Sequence, residues 1–186
     1  LSADYTNLPA DLPAPQDDGT ADHLAGMRLP AIALPSSQGE EVDLAKLEDR
    51  VVVYVYPRTG TPGEPLPPGW NDIPGARGCT PQACAYRDAL AEFKALDVSV
   101  VGISTQTPGE QREFAVREHI PFPLLSDADR LLGNALRLPA FVVDGMTLYK
   151  RLTLIVEALA IVKVFYPVFP PDRNAAEVLA WLRDVG

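Results

Sequence analysis

The chain has two cysteines, Cys79 and Cys84, and both lie in the stretch Gly78 to Phe93, GCTPQACAYRDALAEF. Thr80-Pro81 reads as an N-cap residue followed by proline at the first helical position, which predicts a helix whose amide end faces the Cys79 sulfur. A thiolate is stabilised in such a place, and the thiolate is the nucleophilic, redox-active form of cysteine. Tyr86, Leu90 and Phe93 recur at spacings of four and three, the stripe of an amphipathic helix lying on a core. Cys84 falls inside that helix. At a rise of ~1.5 Å per residue, Cα atoms five residues apart on an intact helix stand roughly 8 Å apart, beyond the ~7 Å that a disulfide tolerates. Joining the two sulfurs therefore requires the first turns to unwind. A redox pair that cycles through local unfolding fits this spacing. The competing reading is two unrelated small hydrophobes, as free cysteines often are.

The elements around this stretch read as alternating strands and helices. Val51 to Tyr56 is a continuous β-branched and aromatic run, expected of a strand buried on both faces and ended by Pro57. The segment from 62 to 76 is too crowded with proline and glycine to be regular, and Trp70 within it reads as a packing anchor. Val98 to Ser104 is a second buried strand. Thr107-Pro108-Gly109-Glu110 is a capping box opening a helix to about His119. Pro121 to Leu125 reads as a short strand and Asp127 to Leu136 as a short helix. Phe141 to Val143 and Leu152 to Glu157 read as extended, with Asp144-Gly145 a turn between them. Ala160 to Tyr166 is a further strand, and Asp172 to Arg183 a last helix with Val178, Leu179 and Leu182 inward. Arg28 to Leu34 is a first extended piece before the turn Ser36 to Gly39. The order βαβαβ, then a hairpin and a terminal helix, implies an α/β fold. A central mixed β-sheet flanked by helices, with an active cysteine where a strand leads into a helix, is the thioredoxin-like arrangement.

Composition narrows the function. The 186 residues suit one domain, residues 26–186, preceded by an acidic tail rich in Pro and Asp over 1–25, mobile or draped over the domain. A net charge of -9 with no basic patch argues against nucleic acid or an anionic membrane surface as partner. Two cysteines make no disulfide framework, two histidines supply a zinc site poorly, and a catalytic or sensing use of the thiols in the cytoplasm fits better. The apolar runs are far shorter than the roughly 20 residues of a membrane span. The amino terminus has neither the basic nor the apolar region of a secretory signal.

Tyr54-Val55-Tyr56-Pro57, followed by Gly78-Cys79-Thr80-Pro81-Gln82-Ala83-Cys84 and then Pro121-Phe122-Pro123-Leu124-Leu125-Ser126-Asp127, resembles the peroxiredoxins, in particular the Q or bacterioferritin-comigratory type. The likeness runs from about Gly26 to the C-terminus. It implies that Cys79 is the peroxidatic cysteine, attacking a hydroperoxide, and Cys84 the resolving one. It further implies recycling by a thioredoxin-like dithiol protein, no metal or organic cofactor, and a monomer. The family signature Pro-x-x-x-Thr-x-x-Cys is broken here. Pro57 and Thr61 keep its first half, but Glu64 stands where the cysteine is due, and Cys79 follows Pro57 by 22 positions instead of 7. Either Thr61 returns to the sulfur across a looped-out insertion at about 62–76, the favoured reading, or Thr80 or a backbone amide replaces it. The family's Arg-x-Thr-apolar strand resembles Arg151-Leu152-Thr153-Leu154-Ile155-Val156-Glu157, which makes Arg151 the thiolate's partner. Arg137, before a weaker copy of that strand, is the competitor.

Energetics explain why such a pair would be needed. Bringing a free thiol from a pKa of about 8.5 to about 6 takes roughly 3.4 kcal/mol at ~1.36 kcal/mol per unit. A helix amino terminus supplies about 0.3 to 2 kcal/mol. A guanidinium hydrogen bond adds on the order of 1.5 to 3 kcal/mol, enough to complete the requirement. Three rivals stand beside a thiol peroxidase: a redox sensor or binding module that oxidises without turnover, a disulfide oxidoreductase, and a scaffold with inert cysteines. The oxidoreductase ranks lower because its usual Cys-x-x-Cys is absent.

Overall fold

A computed structural model describes residues 4–186, so the first three residues of the expected N-terminal tail lie outside the described residues. Strands β1 (Ala33–Pro35) and β2 (Glu41–Asp43) form a small antiparallel hairpin around the turn expected at Ser36 to Gly39. Strand β3 (Arg50–Val55) then enters the central sheet. Two helices follow the irregular segment, α1 (Cys79–Asp88) and α2 (Leu90–Ala95). The single helix expected across Tyr86 and Phe93 is thus broken at Ala89, and both aromatic rings are still buried.

The alternation continues with β4 (Val98–Ser104), α3 (Pro108–Arg117), β5 (Leu124–Ser126) and α4 (Leu131–Leu136). The capping box at α3 is complete, with Thr107 and Glu110 each accepting from the other's backbone N–H. Helix α4 starts later than the sequence suggests. The Asp127 carboxylate accepts from the Leu132 and Gly133 amides, so Asp127 caps α4 from a preceding turn rather than lying in it.

Strands β6 (Ala140–Val143) and β7 (Met146–Tyr149) follow, then β8 (Leu152–Glu157), β9 (Ala160–Phe165) and α5 (Asn174–Val185). The turn at Asp144-Gly145 joins β6 to β7, a strand not read from the sequence, instead of leading to Leu152. Met146 to Tyr149 has no β-branched run, and only its antiparallel pairing with β6 makes it a strand.

The central sheet has the order β5-β4-β3-β8-β9, with β3, β4 and β5 parallel and β8 and β9 antiparallel to their neighbours. It is the mixed sheet flanked by helices that the element order implies. Alternation along β3 separates the two cores. Val51, Val53 and Val55 face Leu24, Leu132, Leu136 and Leu154, whereas Val52, Tyr54 and Tyr56 face Tyr86, Phe93, Phe114 and Val178. Cys79 belongs to the second core.

Residues 62–76 contain only a 3-10 turn at Trp70–Asp72. They are not loose. Trp70 and Ala76 are buried against Leu148 of the β6–β7 hairpin, with the Trp70 and Phe141 rings 6.2 Å apart, forming a third apolar cluster. The N-terminal segment also lies on the domain. Leu24 is fully buried, and Asp18 accepts hydrogen bonds from Lys150 Nζ (2.7 Å) and the Tyr166 hydroxyl (2.8 Å). No helix is long and apolar enough to cross a membrane among the described residues.

Candidate active site

Helix α1 begins two residues earlier than Thr80-Pro81 suggests. Gly78 is the N-cap, at φ 108°, and Cys79 is the first helical residue. A left-handed N-cap turns the chain into the helix without a side chain, and none would fit, since a Cβ there would stand 2.7 Å from both Leu8 Cδ2 and Pro171 Cγ. Pro81 remains inside the first turn, where the missing N–H breaks no intrahelical bond. The consequence for chemistry is the one expected: the sulfur sits at the positive, amide-rich end of α1.

Arg151, immediately before β8, reaches the sulfur. Its Nη2 lies 3.2 Å from Cys79 Sγ, and the residue is 3% exposed. The guanidinium is otherwise held by neutral acceptors. Nε donates to the Gly75 carbonyl (3.2 Å), Nη2 to the Ala76 (3.0 Å) and Arg77 (3.3 Å) carbonyls, and Nη1 to Gln82 Oε1 (2.5 Å). No carboxylate is ion-paired with it among the described residues. A buried cation without an anion is costly unless one is supplied. Among the described residues that hydrogen-bond to this guanidinium, Cys79 is the one whose side chain can carry a negative charge.

The insertion takes part in this arrangement directly. Gly75, Ala76 and Arg77 close the looped-out segment, and their carbonyls orient the guanidinium. Ala76 O also receives the Cys79 thiol at 3.8 Å. Gln82 is fixed in turn by donating to Asn174 Oδ1 (3.1 Å), the acceptor shared by the Tyr86 hydroxyl (2.6 Å) and the Thr153 hydroxyl (2.7 Å). Gln82, Tyr86 and Thr153 thus connect the first turns of α1 to β8 and α5.

Gln82 and Asn174 were not singled out from the sequence. Gln82 carries a usable signal, standing one turn from Cys79 on the same helix. Asn174 carries none, being 92 residues from Gln82.

The remaining expected residues lie as follows. Thr61 and Thr80 both border the pocket that contains Cys79, together with Thr59, Gly60 and Trp70. No hydrogen bond joins either hydroxyl to the sulfur among the described residues. Thr59 is tied to Gln106 Oε1 by its amide and its hydroxyl, each at 3.0 Å, which holds this wall in place. Pro57 is buried just past β3 and immediately precedes Arg58, which lines the pocket. The competitor Arg137 is exposed at the end of α4, at φ 53°, away from the site.

Both cysteines are free thiols. Cys84 is half-buried on α1, and its thiol donates to Glu118 Oε2 at 3.9 Å. Burial pushes its pKa up, Arg87 pulls it down, and the Glu118 and Asp88 carboxylates push it up again, with a net upward shift. The two sulfurs therefore sit in opposite environments: a cation at one, an acceptor carboxylate at the other.

Comparisons with known proteins follow the same outline. The Redoxin family profile matches residues 24–179. The chain is 31% identical over 164 residues to peroxiredoxin Bcp of Escherichia coli K12, covering 86% of this chain and 96% of that protein. It is 32% identical over 162 residues to the chloroplastic peroxiredoxin Q of Populus jackii, covering 86% of this chain and 68% of the relative. Among solved structures, peroxidoxin BcpB of Mycobacterium tuberculosis is similar with a TM-score of 0.71 and 30% identity, over 87% of this chain and 97% of that one.

Proposed function

Because this chain belongs to the Redoxin family, as a peroxiredoxin of the Q/Bcp type, we propose that its Cys79–Arg151 pair is the centre at which it reduces hydroperoxides. The protein is a thiol-dependent peroxidase. One observation carries the assignment of the site: a buried guanidinium with no carboxylate partner among the described residues stands 3.2 Å from a sulfur at a helix amino terminus.

In the first step a lone pair of the Cys79 thiolate attacks the terminal peroxide oxygen. An S–O bond forms and the O–O bond breaks. The second oxygen leaves with the electron pair and takes up a proton, departing as water or an alcohol. Arg151 and the helix amides hold negative charge on sulfur before attack and face the charge that moves to the leaving oxygen. Cys79 becomes a sulfenic acid, oxidised by two electrons.

In the second step the first turns of α1 unwind, and the Cys84 thiolate attacks the sulfenic sulfur. An S–S bond forms and hydroxide leaves, to be protonated to water. A dithiol protein of the thioredoxin class then reduces this disulfide by exchange. Unwinding removes the Gln82–Asn174 bond and frees the Arg151 fork. The resolved state therefore gives up interactions that the reduced state possesses, and reduction restores them.

Consumption of hydrogen peroxide by the reduced protein, with and without Cys79→Ser, tests the assignment. The variant is expected to consume none. A Cys79→Ser protein that still turns over would refute it. Repeated turnover with a dithiol protein separates a peroxidase from a sensor that oxidises once.

A further inference from the structure

The pocket over Cys79 has one wall that does not come from the folded domain around it. Tyr5, in the N-terminal segment, borders the same pocket as Cys79, Thr59, Thr61 and Trp70. The ring is 9% exposed and is held from three sides. Its hydroxyl donates to the Glu64 carbonyl at 2.8 Å. The Arg77 guanidinium lies 5.7 Å from the ring centroid, a cation–π distance. Gly60 presents bare backbone to the ring, and a Cβ at that position would run into it.

The holding groups are themselves organised. Arg77 also donates to the Asp4 carbonyl, and its other arm donates to Asn71 Oδ1 at 3.3 Å. The segment before the ring is closed by a local turn, in which Asp4 accepts from Thr6 and Asn7. Glu64 and Asn71 belong to the insertion, and Arg77 follows it. The N-terminal segment and the insertion therefore clasp each other at the mouth of the pocket, with an aromatic ring as the clasp.

A planar ring fixed at three points narrows a mouth without filling it. Cys79, in the same pocket lining, is only 4% exposed. Hydrogen peroxide is little larger than water and passes where a substituted phenyl group is blocked. We infer that Tyr5, seated on Gly60 and held by Glu64 and Arg77, sets the peroxide specificity of the Cys79 site, admitting hydrogen peroxide and short hydroperoxides and shutting out bulky aryl ones. The inference rests on the peroxidase reading above.

The full chain, Tyr5→Ala, Tyr5→Phe and Gly60→Ala are compared for kcat/KM with hydrogen peroxide and with cumene hydroperoxide. Gly60 has an ordinary backbone conformation, so alanine there expels the ring without straining the chain. The parent chain should favour hydrogen peroxide, and Tyr5→Ala and Gly60→Ala should each raise the cumene-to-hydrogen-peroxide ratio about tenfold, the scale on which pocket size discriminates substrates. Tyr5→Phe keeps the ring and loses the Glu64 bond, and should move the ratio less than either. Mere destabilisation lowers both rates together and leaves the ratio alone. A ratio unchanged in both Tyr5→Ala and Gly60→Ala, or a parent chain that accepts the two peroxides equally, would overturn the inference while the peroxidase reading stood. A parent chain inert toward both peroxides would instead refute the peroxidase reading, and the inference with it.

Discussion

Cys79 and Cys84 are the same residue type on the same helix, and their surroundings are opposed. Cys79 faces Arg151 and the amide end of α1, with no carboxylate ion-paired to that guanidinium among the described residues. Cys84 faces the Glu118 carboxylate, and burial raises its pKa. In the mechanism proposed above, the thiol next to the cation attacks first, and the thiol donating to a carboxylate acts only after the helix that carries it opens. On that reading the order of the two chemical steps follows from electrostatics rather than from residue identity.

Removing one sulfur at a time breaks the comparison most completely. Cys79→Ser should eliminate peroxide consumption, read by loss of peroxide in a coupled dithiol assay. Cys84→Ser should keep the first oxidation within about twofold, since the sulfur that attacks is untouched, but should accumulate sulfenic acid and form no internal bridge. Mass measurement of the intact protein after one equivalent of peroxide distinguishes the two. An internal bridge cannot form in either variant, so a Cys84→Ser protein that is slow in the first step would contradict the division of labour.

Next in size is the cation. Arg151→Met withdraws a charged hydrogen bond on the order of 1.5 to 3 kcal/mol, so the rate of the first oxidation should fall roughly ten- to hundredfold at about 1.4 kcal/mol per decade. Arg151→Lys should recover part of that loss, because a single ammonium cannot reach the sulfur, Gln82 and the carbonyls of residues 75–77 at once. Rapid mixing with peroxide measures both.

Asn174→Ala should act on stability. It removes the acceptor of three buried donors, on Gln82, Tyr86 and Thr153, and leaving even one unsatisfied costs about 1 to 3 kcal/mol. Denaturant unfolding should register a loss in that range or above. The same variant should speed disulfide formation after oxidation, because α1 is then more weakly held. Faster unfolding with unchanged bridge formation would show that the opening of α1 does not involve this network.

The smallest effect is that of pH on Cys84. A raised folded-state pKa means the neutral thiol favours the intact helix. That contribution is complete below the ordinary thiol pKa of about 8.5 and is lost as pH rises through the higher folded value. Bridge formation in the oxidised chain should therefore keep accelerating above about pH 8.5, where the thiolate fraction of an unperturbed cysteine has begun to level off. A rate that plateaus there would place Cys84 in an unperturbed setting.

Much of this was legible in the sequence, and the reason is locality. The β-branched run of β3, the boundaries of β4 and the capping box of α3 are decided by neighbours in the chain. Arg151 stands out in the sequence because it precedes an apolar strand in a family pattern, and its guanidinium lies 3.2 Å from the Cys79 sulfur. What escaped depends on distant partners. Asn174 meets Tyr86 from 88 residues away, Tyr5 meets Glu64 from 59, and β7 exists through its pairing with β6. The start of α1 escaped for a different reason: Thr80 looked like the cap, but Gly78, free to adopt φ 108°, turned the chain two residues sooner. The insertion read as an interruption of the signature. It is also what supplies the carbonyls that aim Arg151.

The central claim is that Cys79, and not Cys84, is the sulfur made reactive by its surroundings. Trapping the reduced chain during one equivalent of hydrogen peroxide with a dimedone-type sulfenic acid reagent, then locating the adduct by peptide mass spectrometry, tests it directly. The adduct is expected on Cys79, strongly diminished in Arg151→Met. An adduct on Cys84, or equal labelling with and without Arg151, would contradict it.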